Sequence, residues 1–191
     1  MQRSFFPRAL IALAALAASL LATGAHAACT LSVSPANIDF GSRPAASLPA
    51  SDLPGWRLLG QRTGTLTGVC DTPQSQLRLR LTNVQASPTA GLLLLPARPA
   101  SAAPGAMRLR LQEARAGGNA VLVSVESSSA PATTSVDVTQ PSSVIVLHLA
   151  QPLPANTGFS VQLNMTALLP ASFTPAQLTS FAAQPAVELV N

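Results

Sequence analysis

The chain has 191 residues, with 11 arginines, no lysine and seven acidic residues, for a formal net charge of +4. Only 9% of the residues are charged, and 17 prolines disfavour a mainly helical protein. The arginines are scattered along the chain, so the composition predicts no clustered basic surface of the kind that binds nucleic acid.

The first 27 residues have the pattern of a secretory signal peptide. Arg3 and Arg8 give a basic start, and an apolar run from Ala9 to Leu21 is too short to cross a bilayer as a helix. Ala25-His26-Ala27 is the small-x-small pattern that signal peptidase accepts. We therefore expect residues 1–27 to be removed and residues 28–191 to form a single exported domain with no membrane span.

A lipoprotein signal is the alternative interpretation of this leader, since Cys29 follows two small residues. His26 stands where a lipobox requires an aliphatic residue, which disfavours a lipid anchor. Loss of Arg3 and Arg8 with the leader leaves nine arginines against seven acids, a net charge of +2. The mature surface is therefore close to neutral.

Two cysteines, Cys29 and Cys70, lie in the expected mature chain, and the leader directs them to an oxidising compartment. Two cysteines allow one intramolecular pairing, so we predict a Cys29–Cys70 disulfide. Its loop of about 40 residues corresponds to roughly 4 kcal/mol in the chain-entropy account. A zinc site is disfavoured, because one mature histidine and two cysteines without CxxC spacing do not supply four ligands.

Apolar residues recur with a period of two almost throughout the chain. The clearest case is Leu77–Val84, where leucines alternate with Arg78 and Arg80, so we expect leucine inward and arginine outward. Segments 42–60 and 126–142 are rich in Pro, Ser, Thr or Ala and are predicted as loops. The predicted strands, about eight in all, are 31–34 with 38–41, 63–70, 77–84, 107–111, 121–125, 144–149, 159–166 and 186–190.

The sequence contains few residues or motifs of the kind that catalysis requires. The one mature histidine, His148, lies within an apolar strand, and no nucleophile elbow, HExxH or phosphate-binding glycine loop occurs. Asp39 and Glu188 are distant in sequence, so no carboxylate pair can be argued. We expect a protein that is not an enzyme and that has no metal or cofactor.

Several segments resemble pilin subunits of the chaperone–usher pathway of Gram-negative bacteria. Ile38-Asp39-Phe40-Gly41 after Cys29 is similar to their first strand, and Thr65–Cys70 is similar to the second strand, which carries the partner cysteine. Gly105–Leu111 resembles the middle strand, and Phe159–Leu168 with the short segment 186–190 fits the last two strands. A spore-coat-U-like secreted domain shares the opening pattern and is the nearest rival.

The resemblance implies an all-β, Ig-like β-sandwich that lacks its last strand and has one disulfide. Such a domain would accept a strand from a periplasmic chaperone, then from another fimbrial subunit at an outer-membrane usher, on the way to the cell surface. The strand bearing Phe159, Val161, Leu163 and Met165 is expected to line the groove for the partner strand, although an ordinary closed core explains the same pattern. The segment with Val187, Leu189 and Val190 is expected to be the chaperone-docking edge.

Two departures from the pilin pattern shape the functional expectation. Val190 stands where pilins place a tyrosine, and cleavage after Ala27 leaves only Ala28 before Cys29, which is too short for a donor strand. We therefore expect a structural or adhesive subunit that accepts a strand without an evident donor extension, at a fibre tip or in a minor position.

Two functions outside the fibre remain as alternatives. One is a self-contained secreted module that binds carbohydrate or resembles spore-coat U, although the chain has no tyrosine and a single tryptophan, Trp56, for stacking on sugars. The other is a periplasmic folding factor such as the chaperone itself, which the single-domain length disfavours.

Overall fold

The computed structural model describes residues 29–43, 47–100, 102–126, 128–173 and 179–190, so the predicted signal peptide and its cleavage site lie outside the described residues. Within those ranges the regular elements are all β-strands. Their bounds are β1 Cys29–Ser34, β2 Ile38–Gly41, β3 Trp56–Cys70, β4 Leu77–Thr82, β5 Leu93–Leu95, β6 Ala97–Arg98, β7 Gly105–Ala116, β8 Asn119–Ala120, β9 Leu122–Val125, β10 Ser135–Val138, β11 Val144–His148, β12 Gly158–Pro170, β13 Ser180–Ala183 and β14 Ala186–Leu189.

The strands form three antiparallel sheets. A seven-stranded sheet has the order β1-β3-β12-β7-β10, with β5 and β8 also paired to β7. A four-stranded sheet has the order β14-β4-β11-β9, and a three-stranded sheet has the order β2-β13-β6. The long strands β3, β12 and β7 form the centre of the largest sheet, so each is hydrogen-bonded on both sides.

One hydrophobic core joins the facing sides of the sheets. Leu77, Leu79 and Leu81 of β4 are at most 2% exposed, and they pack in the same cluster as Leu109 and Leu111 of β7. The arginines between those leucines lie outside and form ion pairs, Arg78 with Glu126 and Arg80 with Glu188. The expected leucine-in, arginine-out arrangement of this strand is therefore confirmed.

A second, smaller cluster lies on the opposite face of the seven-stranded sheet. The buried side chains of Leu92, Ala106 and Leu168 form it, and half-buried Leu53 and Trp56 pack against them. The register shift between Ala167 and Leu168 leaves Leu59 of β3 as the extra residue, so the buried face changes along β3, whereas β12 keeps Met165, Ala167 and Leu169 in the main core. The segment before β3 is thereby fixed across the outer side of this sheet.

The all-β class and the single disulfide are confirmed, while two predicted loops contain strands. Trp56–Gly60, expected as loop, is the first part of β3 and pairs with the end of β12. Ser135–Val138, also expected as loop, forms β10 on the edge of β7. In both cases a neighbouring long strand supplies the hydrogen bonds, so tertiary pairing decides the structure of segments whose flanking Pro, Ser and Thr residues suggested a loop.

Candidate functional site: a partly open seam between two sheets

The first candidate element is β1, the edge strand of the seven-stranded sheet. Its alternation places Leu31 and Val33 toward the core and Ser32 toward solvent. Leu31 and Val33 are only half-buried, whereas their ladder partners Gly68 and Leu66 on β3 are buried. Among the described residues β1 pairs with β3 alone, so its outer backbone groups lie at an open edge.

The second element is β14, the edge strand of the four-stranded sheet. Val187 and Leu189 lie opposite the buried Leu81 and Leu79 of β4, so they face the core, yet both are half-buried. Glu188, between them, faces outward and lies 3.3 Å from Arg80. In the described part of the chain β14 pairs only with β4.

These two open edges lie beside each other, at what we call the seam, which is formed by β1 and β14. Cα atoms of the two strands come within 8 Å, but no ladder joins them in the described residues. Four half-buried aliphatic side chains face the seam's interior, namely Leu31, Val33, Val187 and Leu189. A strand edge flanked by apolar side chains is a surface on which another strand can pair.

Next to the seam, on the same side of the sandwich, two strands of the chain pair with each other. There β2 pairs antiparallel with β13, with Ile38 opposite Ala183 and Asp39 opposite Ala182. If the β2–β13 register continued, from β2 back into β1 and from β13 on into β14, the two seam strands would lie alongside each other. The ladder instead stops at a fork, the point beyond Ile38 and Ala183 where the two strands separate. There Gln184 Nε2 lies 3.5 Å from Asn37 Oδ1.

Two prolines give a physical reason for the fork. Pro35 lies between β1 and β2, and Pro185 lies between β13 and β14. Proline has no backbone N–H to donate, so a ladder cannot run regularly through either position. The sequence analysis missed these two residues as determinants of the site; their position between short apolar strands was the available signal.

The opposite side of the sandwich is closed by backbone hydrogen bonds. Val123 N donates to Thr133 O at 2.7 Å, and Thr133 N donates to Val123 O at 2.9 Å. This bridge connects β9, the far edge of the four-stranded sheet, to the segment leading into β10, the far edge of the seven-stranded sheet. The two sides of the sandwich therefore differ. A backbone bridge joins the sheets on the β9–β10 side, whereas on the seam side only β2 and β13 pair, and β1 and β14 do not.

The residues expected to line the groove for a partner strand lie on a central strand. Phe159, Val161, Leu163 and Met165 are on β12, which pairs with β3 on one side and β7 on the other, and they are 0–4% exposed. The structure places them in the closed core rather than beside an open edge. The alternation that suggested a groove is the same in a central strand and in an edge strand, because both have one buried face.

The expected chaperone-docking residues do lie at an edge. Val187 and Leu189 are on β14, and Val190 continues it, with its N–H donating to Arg78 O at 2.8 Å. That bond joins Val190 to the strand already paired with β14. Docking of a chaperone at the free edge stays a prediction.

Both cysteines of the chain meet at one end of the seam. Cys29 and Cys70 form a disulfide, and they are register partners in the β1–β3 ladder. The bond fixes the beginning of the edge strand to the strand beside it. The predicted pairing is thus confirmed, and its position couples the disulfide to the stability of the open edge.

Polar side chains show no assembled catalytic set among the described residues. His148 Nε2 lies 2.8 Å from Ser124 Oγ, but both are on the outward face of the four-stranded sheet, and no ion pair of the described chain includes His148. A serine–histidine pair needs a group to orient the histidine and donors to stabilise an oxyanion. In the described ranges no three His, Cys, Asp or Glu side chains gather as a metal site, and no helix could span a membrane.

Exposed ion pairs lie on the outer faces of the sheets, and two of them shift the pKa of a member of the pair. The hydrogen bond from Arg108 lowers the pKa of Asp52, and the hydrogen bond with Asp137 raises the pKa of Arg110. Such pairs contribute little to stability in water, so they position side chains rather than hold the fold together.

Comparisons of the chain with protein-family models, with curated proteins and with solved structures gave no match.

Proposed function

We propose that this chain is an exported structural or adhesive subunit of a chaperone–usher fimbria, and that it accepts a strand from a partner at the seam of β1 and β14. The observation that supports it best is the pairing asymmetry of the sandwich. One side is joined by the Val123–Thr133 bridge, whereas β1 and β14 lie within 8 Å of each other without a ladder. A Gram-negative periplasmic route and an incomplete Ig-like domain belong to the same proposal.

The geometry limits the strand that the seam could accept. Because β2 and β13 already pair, the free stretch is the six residues of β1 and the four of β14. A strand bonded to both edges would hold them about 9.6 Å apart, twice the usual strand spacing. Since Cα atoms of β1 and β14 come within 8 Å, the seam must widen by at least about 1.6 Å there for a strand to pair with both edges.

The aliphatic side chains supply the binding energy in this proposal. Leu31, Val33, Val187 and Leu189 would each lose their remaining contact with water beneath a partner strand whose alternate residues are apolar. Cleavage after Ala27 would leave no extension for donation, which is why we propose a tip or minor position. N-terminal sequencing of the exported protein tests that point: a start at Ala28 supports it, and a start well before residue 20 contradicts it.

A peptide experiment tests strand acceptance. The exported chain is mixed with a peptide of alternating valine and threonine, as long as β1, or with a control peptide in which aspartate replaces valine. The first peptide should raise the free energy of unfolding by about 2.7 kcal/mol when it is free at 100 times its Kd. Hydrogen exchange should slow at Leu31–Val33 and at Val187–Leu189, and the control peptide should do neither.

Substitutions then locate the binding site. Val187→Asp should abolish the response because its side chain faces the seam, while Glu188→Gln, on the outward face of the same strand, should keep it. Equal responses to both peptides, or slow exchange at both edges of the lone chain, would reject strand acceptance.

A self-contained secreted module is the second candidate, and the β2–β13 ladder favours it. That ladder shows the chain closing part of this side with its own residues, without a partner. A module of this kind would be a stable monomer, insensitive to the valine–threonine peptide. The same titration therefore separates the two functions.

A further inference from the structure

The strands that lead into the seam differ in how their inward-facing residues are spaced. In β13 and β14 every second residue from Phe181 to Leu189 faces inward, including the buried Pro185. The alternation therefore runs unbroken through the link between these two strands. Side chains of a strand alternate with a period of two, so β14 keeps the facing that β13 sets.

The alternation breaks between β1 and β2. Val33 of β1 and Ile38 of β2 both face inward, yet they are an odd number of positions apart. The three residues that link the strands, Pro35, Ala36 and Asn37, are all exposed. The facing of β1 is thus displaced by one residue from the facing that β2 would impose on a continuous strand.

Strand register shows what this displacement does at the seam. Ile38 pairs with Ala183, and both side chains are buried. Continued without a break, that register would place Val33 opposite Glu188, an inward side chain opposite an outward one. Residues directly opposite in an antiparallel ladder point to the same face. The register of β2 and β13 therefore conflicts with the facing of β1 and β14.

Pairing of Val33 with Val187, the neighbouring inward residue, would leave one residue of the β1–β2 link without a partner. A ladder takes in such a residue as a β-bulge, which disrupts its hydrogen bonds locally. The short β2–β13 ladder already has one register shift beside Phe181. Pro35 and Pro185 also remove two N–H donors at the junction. Direct pairing of β1 with β14 would therefore begin at a weak point.

We propose that this one-residue mismatch is a device that keeps the seam from closing on itself and preserves it for a partner strand. A separate strand does not continue the β2–β13 ladder, so it takes its own register against β1 and β14. The mismatch thus opposes self-closure without opposing strand acceptance. The partner strand rests on the proposed function, whereas the mismatch is a property of the lone chain and is tested there.

Deletion of Ala36 tests the mismatch, because it leaves two residues in the β1–β2 link, as in the β13–β14 link. Continued register then places Val33 opposite Val187, and the faces agree. Hydrogen exchange at Val187 and Leu189 reports closure: the N–H of Val190 points to β4, and alternate N–H groups of a strand point to opposite edges.

We expect exchange at these two amides to slow at least about tenfold in the lone deletion variant, since several backbone hydrogen bonds must then open together. Ala36→Gly keeps the length of the link and is the matched control, with exchange at the wild-type rate. Slow exchange at both amides in the lone wild type would overturn the proposal, because the seam would then already be closed.

A compensating insertion separates the mismatch from other effects of the deletion. One glycine inserted between Gln184 and Pro185 also makes the two links equal, so this variant alone should close the seam. Combined with deletion of Ala36, the insertion makes the links unequal again and should restore wild-type exchange. A folding defect cannot imitate this pattern, because the combined variant carries both changes. Unchanged exchange in both single variants, or slow exchange in the combined variant, overturns the proposal.

The valine–threonine peptide separates this inference from strand acceptance. If both hold, the peptide stabilises the wild type and the combined variant but neither of the two closed variants. If the wild type does not respond to the peptide while the exchange pattern holds, strand acceptance is wrong and the register mismatch stands.

Discussion

Cys29 lies directly opposite Cys70 in the β1–β3 ladder, with their Cα atoms 4.0 Å apart, so the disulfide joins an edge strand to an interior strand. Cys70 is fully buried, while Cys29 is half-buried at the open edge. The covalent bond thus holds the part of the chain that has hydrogen-bond partners on one side only. We therefore expect loss of the disulfide to destabilise β1 before the other strands.

The double variant Cys29→Ala/Cys70→Ala should lower the free energy of unfolding by roughly 4 kcal/mol, the value for a loop of this length. The reason is that the unfolded chain regains the freedom that the cross-link removed. Urea denaturation of the oxidised protein and of the variant measures the difference. Wild type treated with reductant should show a similar loss, and unchanged stability in both samples would contradict the prediction.

Gly68→Ala should be costly because of its position beneath an aromatic ring. Gly68 faces the core on β3, and an added Cβ would stand 2.6 Å from Leu31 Cδ2 and closer still to the Phe159 ring. Neither neighbour can move without disturbing the core or the edge strand. We expect a loss of about 1–3 kcal/mol in unfolding free energy, as for overpacked cores.

Gly64→Ala is the matched control for that substitution. It also faces the core of β3, but its added Cβ would meet Met165 Cε and Ser34 O at 3.4 Å, an ordinary contact distance. Its unfolding free energy should stay within about 1 kcal/mol of wild type, since the glycine-to-alanine change also restricts the unfolded chain. Equal losses at the two positions would show that the ring contact is not the cause.

The sequence allowed the faces of most strands to be predicted, but not their neighbours. Leu77 to Leu81 alternate with arginine, and burial follows that alternation directly. Phe159 to Met165 alternate equally well, yet the pattern does not say whether partner strands lie on both sides. That information depends on long-range pairing, so the sequence pattern does not show that β12 is a central strand or that Leu31 and Val33 lie on an edge strand.

Leu163→Ala and Leu189→Ala should separate the core from the seam. Leu163 is fully buried in β12, so its truncation in the lone chain should cost about 2–5 kcal/mol of unfolding free energy. Leu189 is half-buried at the seam and should cost less, because it is still partly hydrated before truncation. Urea denaturation without any added peptide gives both values. A larger loss at Leu189 would mean that the seam is closed in solution.

Asp52 should titrate at a lower pH in the wild type than in Arg108→Gln. Arg108 donates to Asp52 Oδ2 at 2.9 Å, and this hydrogen bond to the ionised form holds the pKa of Asp52 below its ordinary value. Because the folded pKa is the lower one, the pair stabilises the fold above the ordinary pKa of aspartate. This stabilisation is lost as the pH falls through the folded pKa.

NMR titration of the Asp52 carboxyl carbon measures the shift directly. Arg108→Gln should raise its pKa toward the ordinary value, and molar salt should do the same in part, since the Asp52 side chain is 67% exposed. Arg110→Gln is the control, because Arg110 lies two residues along β7 and pairs with Asp137 instead. If Asp52 titrates identically in wild type and Arg108→Gln, the ion pair does not persist in solution.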